Sequence, residues 1–425
     1  MNSFPVQLVA WLIATAWCAV LAVVIKANRN RHRILRPLPP GTTQANPQRL
    51  SVIVPARNEQ ECVEVCIRSL LRQDYPDLEV IAVNDRSTDQ TATILDRLSR
   101  EFPDQVRVLH IESLPEGWFG KPHALDRAMA LATGKLLLFT DSDCEFLAPS
   151  ALRTAVSEFE SRGLNFFTIG ACYTMPSLRE QLVVPACSEV VLQWLRPERV
   201  EDPDWPDTFA NGAFIMTDRA AFERLGGWST VRTKVSEDFE LARAYKRAGY
   251  RTGLAQALKF YNTRSYGSMR ESWDGWSRIL AGALTIRQLM ITVLRMSIMT
   301  YLPLCAVILG AVHVVRTGDL GYFVRGAMPA FLWAYLCRTG LDFTVYRLIG
   351  APVSVAILAP VGRAFAIAAS LRAALARAGI VRTYWRGAAF TANRLVTPQS
   401  PSVAAAAPNR EIRAESAVAP HAAVS

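Results

Sequence analysis

Three acidic clusters carry the residue types from which a reaction could be built. In Asp141-Ser142-Asp143, two carboxylates stand one residue apart, directly after the apolar run Leu136–Phe139. Mg2+ and Mn2+ are hard cations that take oxygen ligands, often one or two carboxylates plus substrate phosphates. At the carboxyl end of a strand, one carboxylate of such a pair can hold the metal while the other reaches a ribose or a water. The metal would neutralise a departing diphosphate. Alone, two aspartates at this spacing are more often a solvated turn, so the preceding buried strand is what raises the motif. The second cluster, Asn84-Asp85-Arg86-Ser87-Thr88-Asp89, also follows an apolar run. Asp89 reads as a helix cap, whereas Asp85 sits where a base or ribose would cross the strand ends. The third, Ser236-Glu237-Asp238, opens a helix, where acidic residues are common for dipole reasons alone. Asp238 is nonetheless a candidate general base, able to take a proton from an acceptor hydroxyl.

The elements around these clusters alternate. Strands are expected at Leu50–Pro55, Leu78–Asn84, Val106–Ile111 and Leu136–Thr140, and helices at Glu59–Gln73, Asp89–Phe102 and Pro122–Ala132. This β-α-β order predicts an α/β domain with a mostly parallel sheet, helices on both faces and ligands at the carboxyl ends of the strands.

Composition asks for a membrane as well. Apolar residues make up 51% of the 425 and charged residues 20%, too apolar for an ordinary soluble enzyme and too charged for a pure membrane bundle. The net charge of +10 is not a nucleic-acid signal, because basic residues gather beside apolar runs: Arg29, Arg31, Arg33 and Arg36, then Arg372, Arg377, Arg382 and Arg386. No nucleic-acid partner is therefore expected. The eight cysteines are scattered, with no C-x-x-C pair, and Cys62 and Cys66 read as packing residues. Phe4–Ile25 is long enough for one span, and the basic stretch after it places the following domain in the cytoplasm by the positive-inside rule. A signal peptide is disfavoured, for want of a basic n-region and a cleavage site. The expected domains are an anchor (1–27), a basic and Pro-rich linker with Pro37, Pro39, Pro40 and Gly41 (28–48), a catalytic domain (49–265), an interfacial helix with Trp273 and Trp276 (266–286), apolar spans (287–376), and a basic, then disordered tail (377–425). The spans are expected near Leu289–Val315, Ala327–Ile349 and Ala351–Leu375, one of them re-entrant, with Arg295, Arg338, Asp342 and Arg363 facing a bundle interior.

Taken in order, Ser51-Val52-Ile53-Val54-Pro55-Ala56-Arg57-Asn58-Glu59, Val83 to Asp89, Thr140 to Asp143 and Ser236 to Asp238 resemble the family 2 inverting glycosyltransferases of the GT-A fold. The resemblance implies a Rossmann-like mixed sheet and a nucleotide-diphosphate-sugar donor. It implies donor contacts from Pro55, Arg57, Glu59, Asp85 and Asp141, Mg2+ or Mn2+ on Asp143 with help from Asp141, and Asp238 as the base. Gly117-Trp118-Phe119-Gly120-Lys121-Pro122 is similar to a segment of bacterial enzymes that glycosylate hydrophobic acceptors, the hopanoid-associated and carotenoid glycosyltransferases. That implies a lipid or isoprenoid-type acceptor and a bacterial inner-membrane protein. Lys121 then meets donor phosphates as a point charge or serves as helix-end charge. Asn211-Gly212-Ala213-Phe214 and Gly226-Gly227-Trp228 match segments bordering the acceptor site, so Gly227, Trp228, Glu237 and Trp276 are the expected acceptor contacts. Trp385-Arg386-Gly387 resembles a C-terminal element of the same branch. Processive synthases carry Q-x-x-R-W; Ser272-Trp273-Asp274-Gly275-Trp276 keeps only the Trp, which favours a single transfer, with Arg278 supplying the missing positive charge. The competing readings are a processive polysaccharide synthase and an inactive membrane scaffold.

Overall fold

The computed structural model describes residues 4–29, 34–39, 46–170, 172–196, 199–205, 208–234, 236–257, 259–385, 388–391 and 394–396. The calls on Arg31, Arg33, Pro40, Gly41, Arg386, Gly387 and the tail from Pro398 lie outside them. After helix α1 (Phe4–Arg29) the chain runs β1 (Leu50–Ala56), α2 (Val63–Leu71), β2 (Leu78–Asp85), α3 (Thr91–Glu101), β3 (Val106–Ile111), α4 (Gly120–Ala128) and β4 (Leu136–Phe139). Next come β5 (Cys144–Phe146), α5 (Ala151–Ser161), β6 (Phe166–Ile169), β7 (Tyr173–Thr174), α6 (Leu178–Leu195), β8 (Ile215–Asp218), α7 (Arg219–Arg224), α8 (Glu237–Arg247), β9 (Thr252–Ala255) and β10 (Tyr261–Arg264).

The main sheet has the order β3-β2-β1-β4-β8-β6-β9. Strands β1 to β4 are parallel, β8 runs against β4 and β6, and β9 is parallel to β6. It is a mixed sheet, as expected. Every residue of β1 and β2 is buried, which is why both are mostly apolar, with the buried Ser51 hydroxyl donating to the Glu79 carboxylate between them. Alternate side chains enter separate cores: Val52 and Val54 join α2, α3 and α5 on one face, while Ile53 meets Leu125, Leu241 and Trp228 on the other. A small sheet, β5-β10-β7, forms just beyond the end of β4. All three helix starts differ from expectation, α3 beginning at Thr91 where Asp89 was expected. Helix α2 begins at Val63 because the residues before it are held as a loop, with Asn58 at φ 56°. Helix α4 begins at Gly120 because Pro122 falls in its first turn, where a missing N–H breaks no helical bond.

The second body contains α1, α6, α9 (Met269–Ala283), α10 (Ile286–Met296), α11 (Leu302–Thr317), α12 (Met328–Ile349) and α13 (Ala359–Arg377) around one apolar core. Small residues let these helices approach closely: a Cβ on Gly362 of α13 would lie 2.1 Å from the Leu182 carbonyl oxygen of α6. Among the described residues, three helical stretches are long and apolar enough to cross a membrane: Phe4–Val24, Ile286–Thr317 and Val353–Arg377. Two of these, not three, are C-terminal. The expected middle span, α12, carries buried Arg338 and Asp342 and belongs to the bundle interior. Arg338 donates a fork of bonds (2.7 and 2.6 Å) to Glu189 of α6 and a third (2.7 Å) to Asp342. Arg363 of α13 forks onto Asp342 at 2.5 and 2.8 Å.

Helix α9 corrects the interfacial reading. Trp276 is buried, and Trp273 packs edge-on against Phe365 of α13, so the aromatics face the protein. Arg372 binds Asp274 at 2.6 Å and Arg377 donates to the Ala281 carbonyl at 2.6 Å, so two basic residues assigned to the membrane surface tie α13 to α9. Helix α1 lies along α12, with Ala10, Ile13, Ala14 and Trp17 buried and the Cys18 and Cys337 sulfurs 3.7 Å apart. Beyond α13, the short strands β11 (Thr383–Trp385), β12 (Ala388–Thr391) and β13 (Arg394–Val396) pair antiparallel.

Candidate active site

The loops after β1 and β2 are built as one unit. Asn58 Oδ1 accepts the Thr88 N–H at 2.8 Å, the Glu59 N–H reaches Thr91 Oγ1 at 2.8 Å and the Gln60 N–H reaches Asp89 Oδ2 at 3.1 Å. Asp89 also accepts the Thr91 N–H at 3.0 Å, but the N-cap position of α3 is held by Gln90, so the capping role expected of Asp89 is not the one it has. This lacing fixes Pro55, Arg57 and Glu59 on the wall of the cavity described below. Asp85, at the end of β2, is buried beside the same cavity. The Arg86 guanidinium forks onto it at 2.7 and 3.0 Å. A Cβ on Gly120, at the start of α4, would sit 2.7 Å from Asp85 Oδ2 and 2.9 Å from the Arg86 guanidinium, so any larger residue there would have to displace this ion pair.

Strand β4 ends in Asp141-Ser142-Asp143. Asp143 Oδ1 accepts from Thr263 Oγ1 at 3.2 Å, and its carbonyl accepts the Arg264 N–H at 3.2 Å, so β10 orients this aspartate. Lys121 Nζ binds Asp141 Oδ1 at 2.7 Å and Glu237 Oε1 at 3.2 Å. Desolvation opposes its charge, but Asp141, Glu237 and Asp238 together hold its ionisation above the usual lysine range.

Asp238, in the first turn of α8, accepts the Gly212 N–H on Oδ2 at 3.0 Å and the Phe239 N–H on Oδ1 at 2.8 Å. Burial first, then the neighbouring Glu237 carboxylate, push its pKa up to about 7, against the pull of Lys121. A carboxylate poised there suits a general base near neutral pH.

One continuous cavity of about 2130 Å³ gathers these groups. Asp85, Lys121, Asp141, Asp143, Glu237 and Asp238 line it together. Trp276 and Arg278 reach it from α9. Gly227 and Trp228 do not, which corrects their assignment as acceptor contacts. Trp228 is 1% exposed and stands edge-on to Phe139, ring centres 4.9 Å apart, in the core behind β4. The short 3-10 turn Gly227–Val231 aims it inward. Unforeseen from the sequence were Tyr173, Tyr266 and one face of α6, which also line the cavity. The signal for α6 was present in the Ser177–Glu180 capping box ahead of an apolar run.

A divalent cation fits Asp141 and Asp143 by donor chemistry. Both offer hard carboxylate oxygens to the cavity. Among the described residues no group of three His, Cys, Asp or Glu side chains could hold a metal. Such a pair suits a cation that takes its remaining oxygens from phosphates and water, not a protein cage.

The model "Glycosyl transferase family 2" matches residues 51–226, and "Glycosyl transferase family group 2" matches residues 203–348. A 4,4'-diaponeurosporenoate glycosyltransferase of Staphylococcus aureus (strain USA300) is 24% identical over 241 residues, covering 56% of this chain and 63% of that protein. The match thus spans less than two thirds of that relative's length. Among solved structures, mannosyltransferase PcManGT from Pyrobaculum calidifontis, in complex with GDP-Man and Mn2+, is 19% identical. It covers 86% of this chain and 98% of its own, with a TM-score of 0.46. Glucosyl-3-phosphoglycerate synthase from Mycobacterium tuberculosis, with Mn2+, UDP and phosphoglyceric acid, is 21% identical over 56% of this chain and 78% of its own, with a TM-score of 0.37. The two family models run together from residue 51 to residue 348, over the mixed sheet and the Asp-Ser-Asp turn that follows β4, and the chain carries a glycosyl transferase family 2 domain at residues 51–226.

Proposed function

We propose that this chain transfers one sugar from a nucleoside-diphosphate sugar to the hydroxyl of a membrane lipid, with inversion at the anomeric carbon. The observation that carries the reading is that the half-buried carboxylate of Asp238 and the paired carboxylates Asp141 and Asp143 face one cavity, which is also walled by apolar helices. The nucleoside would lie against Pro55, Arg57, Glu59 and Asp85, across the carboxyl ends of β1 and β2. Asp141 and Asp143 would hold Mg2+ or Mn2+, which supplies positive charge to the diphosphate. Asp238 takes the proton of the acceptor hydroxyl. The oxygen forms its bond to the anomeric carbon as the bond from that carbon to the diphosphate oxygen breaks, and the electron pair leaves with the nucleoside diphosphate. Lys121 and Arg278 stand where they can meet the charge that develops on it.

The lipid acceptor is supported by the flanking apolar helices and by a relative named for diaponeurosporenoate. We place the protein in a bacterial inner membrane with the catalytic domain on the cytoplasmic side, on the basic residues after α1. The test is transfer of radiolabelled sugar into extractable lipid by membranes containing the chain, with and without chelator. Chelator and Asp143→Ala are each expected to abolish labelling and metal-dependent donor binding. Labelling that survives both would overturn the assignment of the pair.

A further inference from the structure

The catalytic cavity does not stop at the carboxylates. It continues between three helices, each presenting an apolar stripe at helical spacing. Helix α12 contributes Leu341, Val345 and Leu348, at i, i+4 and i+7. Helix α6 contributes Val184, Val191 and Leu192, interleaved with the polar Ser188, Glu189, Gln193 and Arg196, and α1 contributes Val20, Val23 and Val24. Three stripes turned to one space make a built wall. Val20 and Val23 are 37% and 65% exposed, so the groove opens sideways along α1, a candidate membrane span. Beside Leu348 the wall is tied down: Gln256 donates to the Leu348 carbonyl, and the Leu35 N–H donates to the Gln256 carbonyl at 2.8 Å.

We infer that this groove holds the apolar chain of the acceptor, so that the substrate is a long-chain amphiphile whose hydroxyl meets Asp238 while its chain remains between α1, α6 and α12. The occupant follows from the continuity of an apolar slot, open toward the bilayer, with a polar site built to deprotonate a hydroxyl. The inference rests on the transferase reading and names the substrate class of the same site.

The experiment uses the full chain in phospholipid nanodiscs with a diazirine-bearing geranylgeraniol as the probe. Photolabelled residues are mapped by mass spectrometry, and nucleotide-sugar binding with Mn2+ is measured in parallel. Labels are expected on the groove faces of α1, α6 and α12 despite the excess of phospholipid. Leu348→Trp and Val24→Trp, which fill the slot from different helices, should each lower that labelling about tenfold and leave donor binding unchanged. Leu309→Trp, on an exposed face of α11, should leave both unchanged. Labels confined to outward faces such as that of α11, or insensitive to both filling variants, would overturn the groove assignment even where donor binding is intact. Groove labelling in a chain that binds no nucleotide sugar would sink the transferase reading alone.

Discussion

Asp238 has an ionisation poised by its neighbours. Because burial and Glu237 raise its pKa to about 7, the unprotonated base accumulates only as pH rises through that value. The kcat/KM of transfer should therefore climb with pH across this range, since that quantity reports the free enzyme. Glu237→Gln removes a like charge and should move the climb to lower pH; an unmoved profile would mean that another group is being titrated. Asp238→Asn keeps the size of the side chain and removes the base, so transfer should fall by ~10²–10⁴-fold, the usual contribution of a general base. Steady-state rates on purified protein check both. The sequence reveals Asp85, Asp141, Asp143 and Asp238 because each follows a buried strand or opens a helix, positions whose direction the backbone fixes. Trp228 shows the limit of that legibility. A matched segment tells where a residue stands along the chain, whereas Phe139 and Phe222 decide which way the ring turns.

At the scale of elements, the strands were legible and α6 was not. Strands β1, β2 and β4 announce themselves because both faces are covered and most positions are apolar. Helix α6 is also covered on most sides, so its apolar residues follow no single face, and Glu189 interrupts them as if marking a surface. The partner that neutralises Glu189 is Arg338, 149 residues away, a distance over which no local pattern reaches. Breaking that pairing should be severe. Arg338→Ala strips Glu189 of its fork and leaves Asp342 with Arg363 alone, a loss of about 3–5 kcal/mol for a buried pair, read by unfolding in detergent. A change under ~1 kcal/mol, the range of exposed pairs, would mean that water reaches the cluster. Helices α1 and α12 offer a second check. With the Cys18 and Cys337 sulfurs 3.7 Å apart, mild oxidation should join the two helices through a disulfide, seen as a cross-linked peptide that Cys18→Ser abolishes.

Across the whole molecule, the catalytic sheet and the helical bundle share their working parts. Helix α9 brings Trp276 and Arg278 to the cavity while packing on α13, and α6 carries both a wall of the cavity and the anion of the buried network. Composition foretold that two bodies exist, but not that one cavity runs through both, because the residues that line it come from chain positions as far apart as Val20 and Ile349. The packing of α1 against α12 has a practical meaning. An anchor that served only as a leash could be exchanged for any apolar helix of the same length, or trimmed to give a soluble enzyme. Here Ala10, Ala14 and Trp17 are fitted to their neighbours, and the chain just after α1 is fastened to the far edge of the sheet through Gln256. A polyleucine helix in place of residues 4–24 should still bring the protein to the membrane, yet lose transfer to lipid. The first helix of this chain is therefore not interchangeable, and attempts to crop it for convenience would remove a part of the machine.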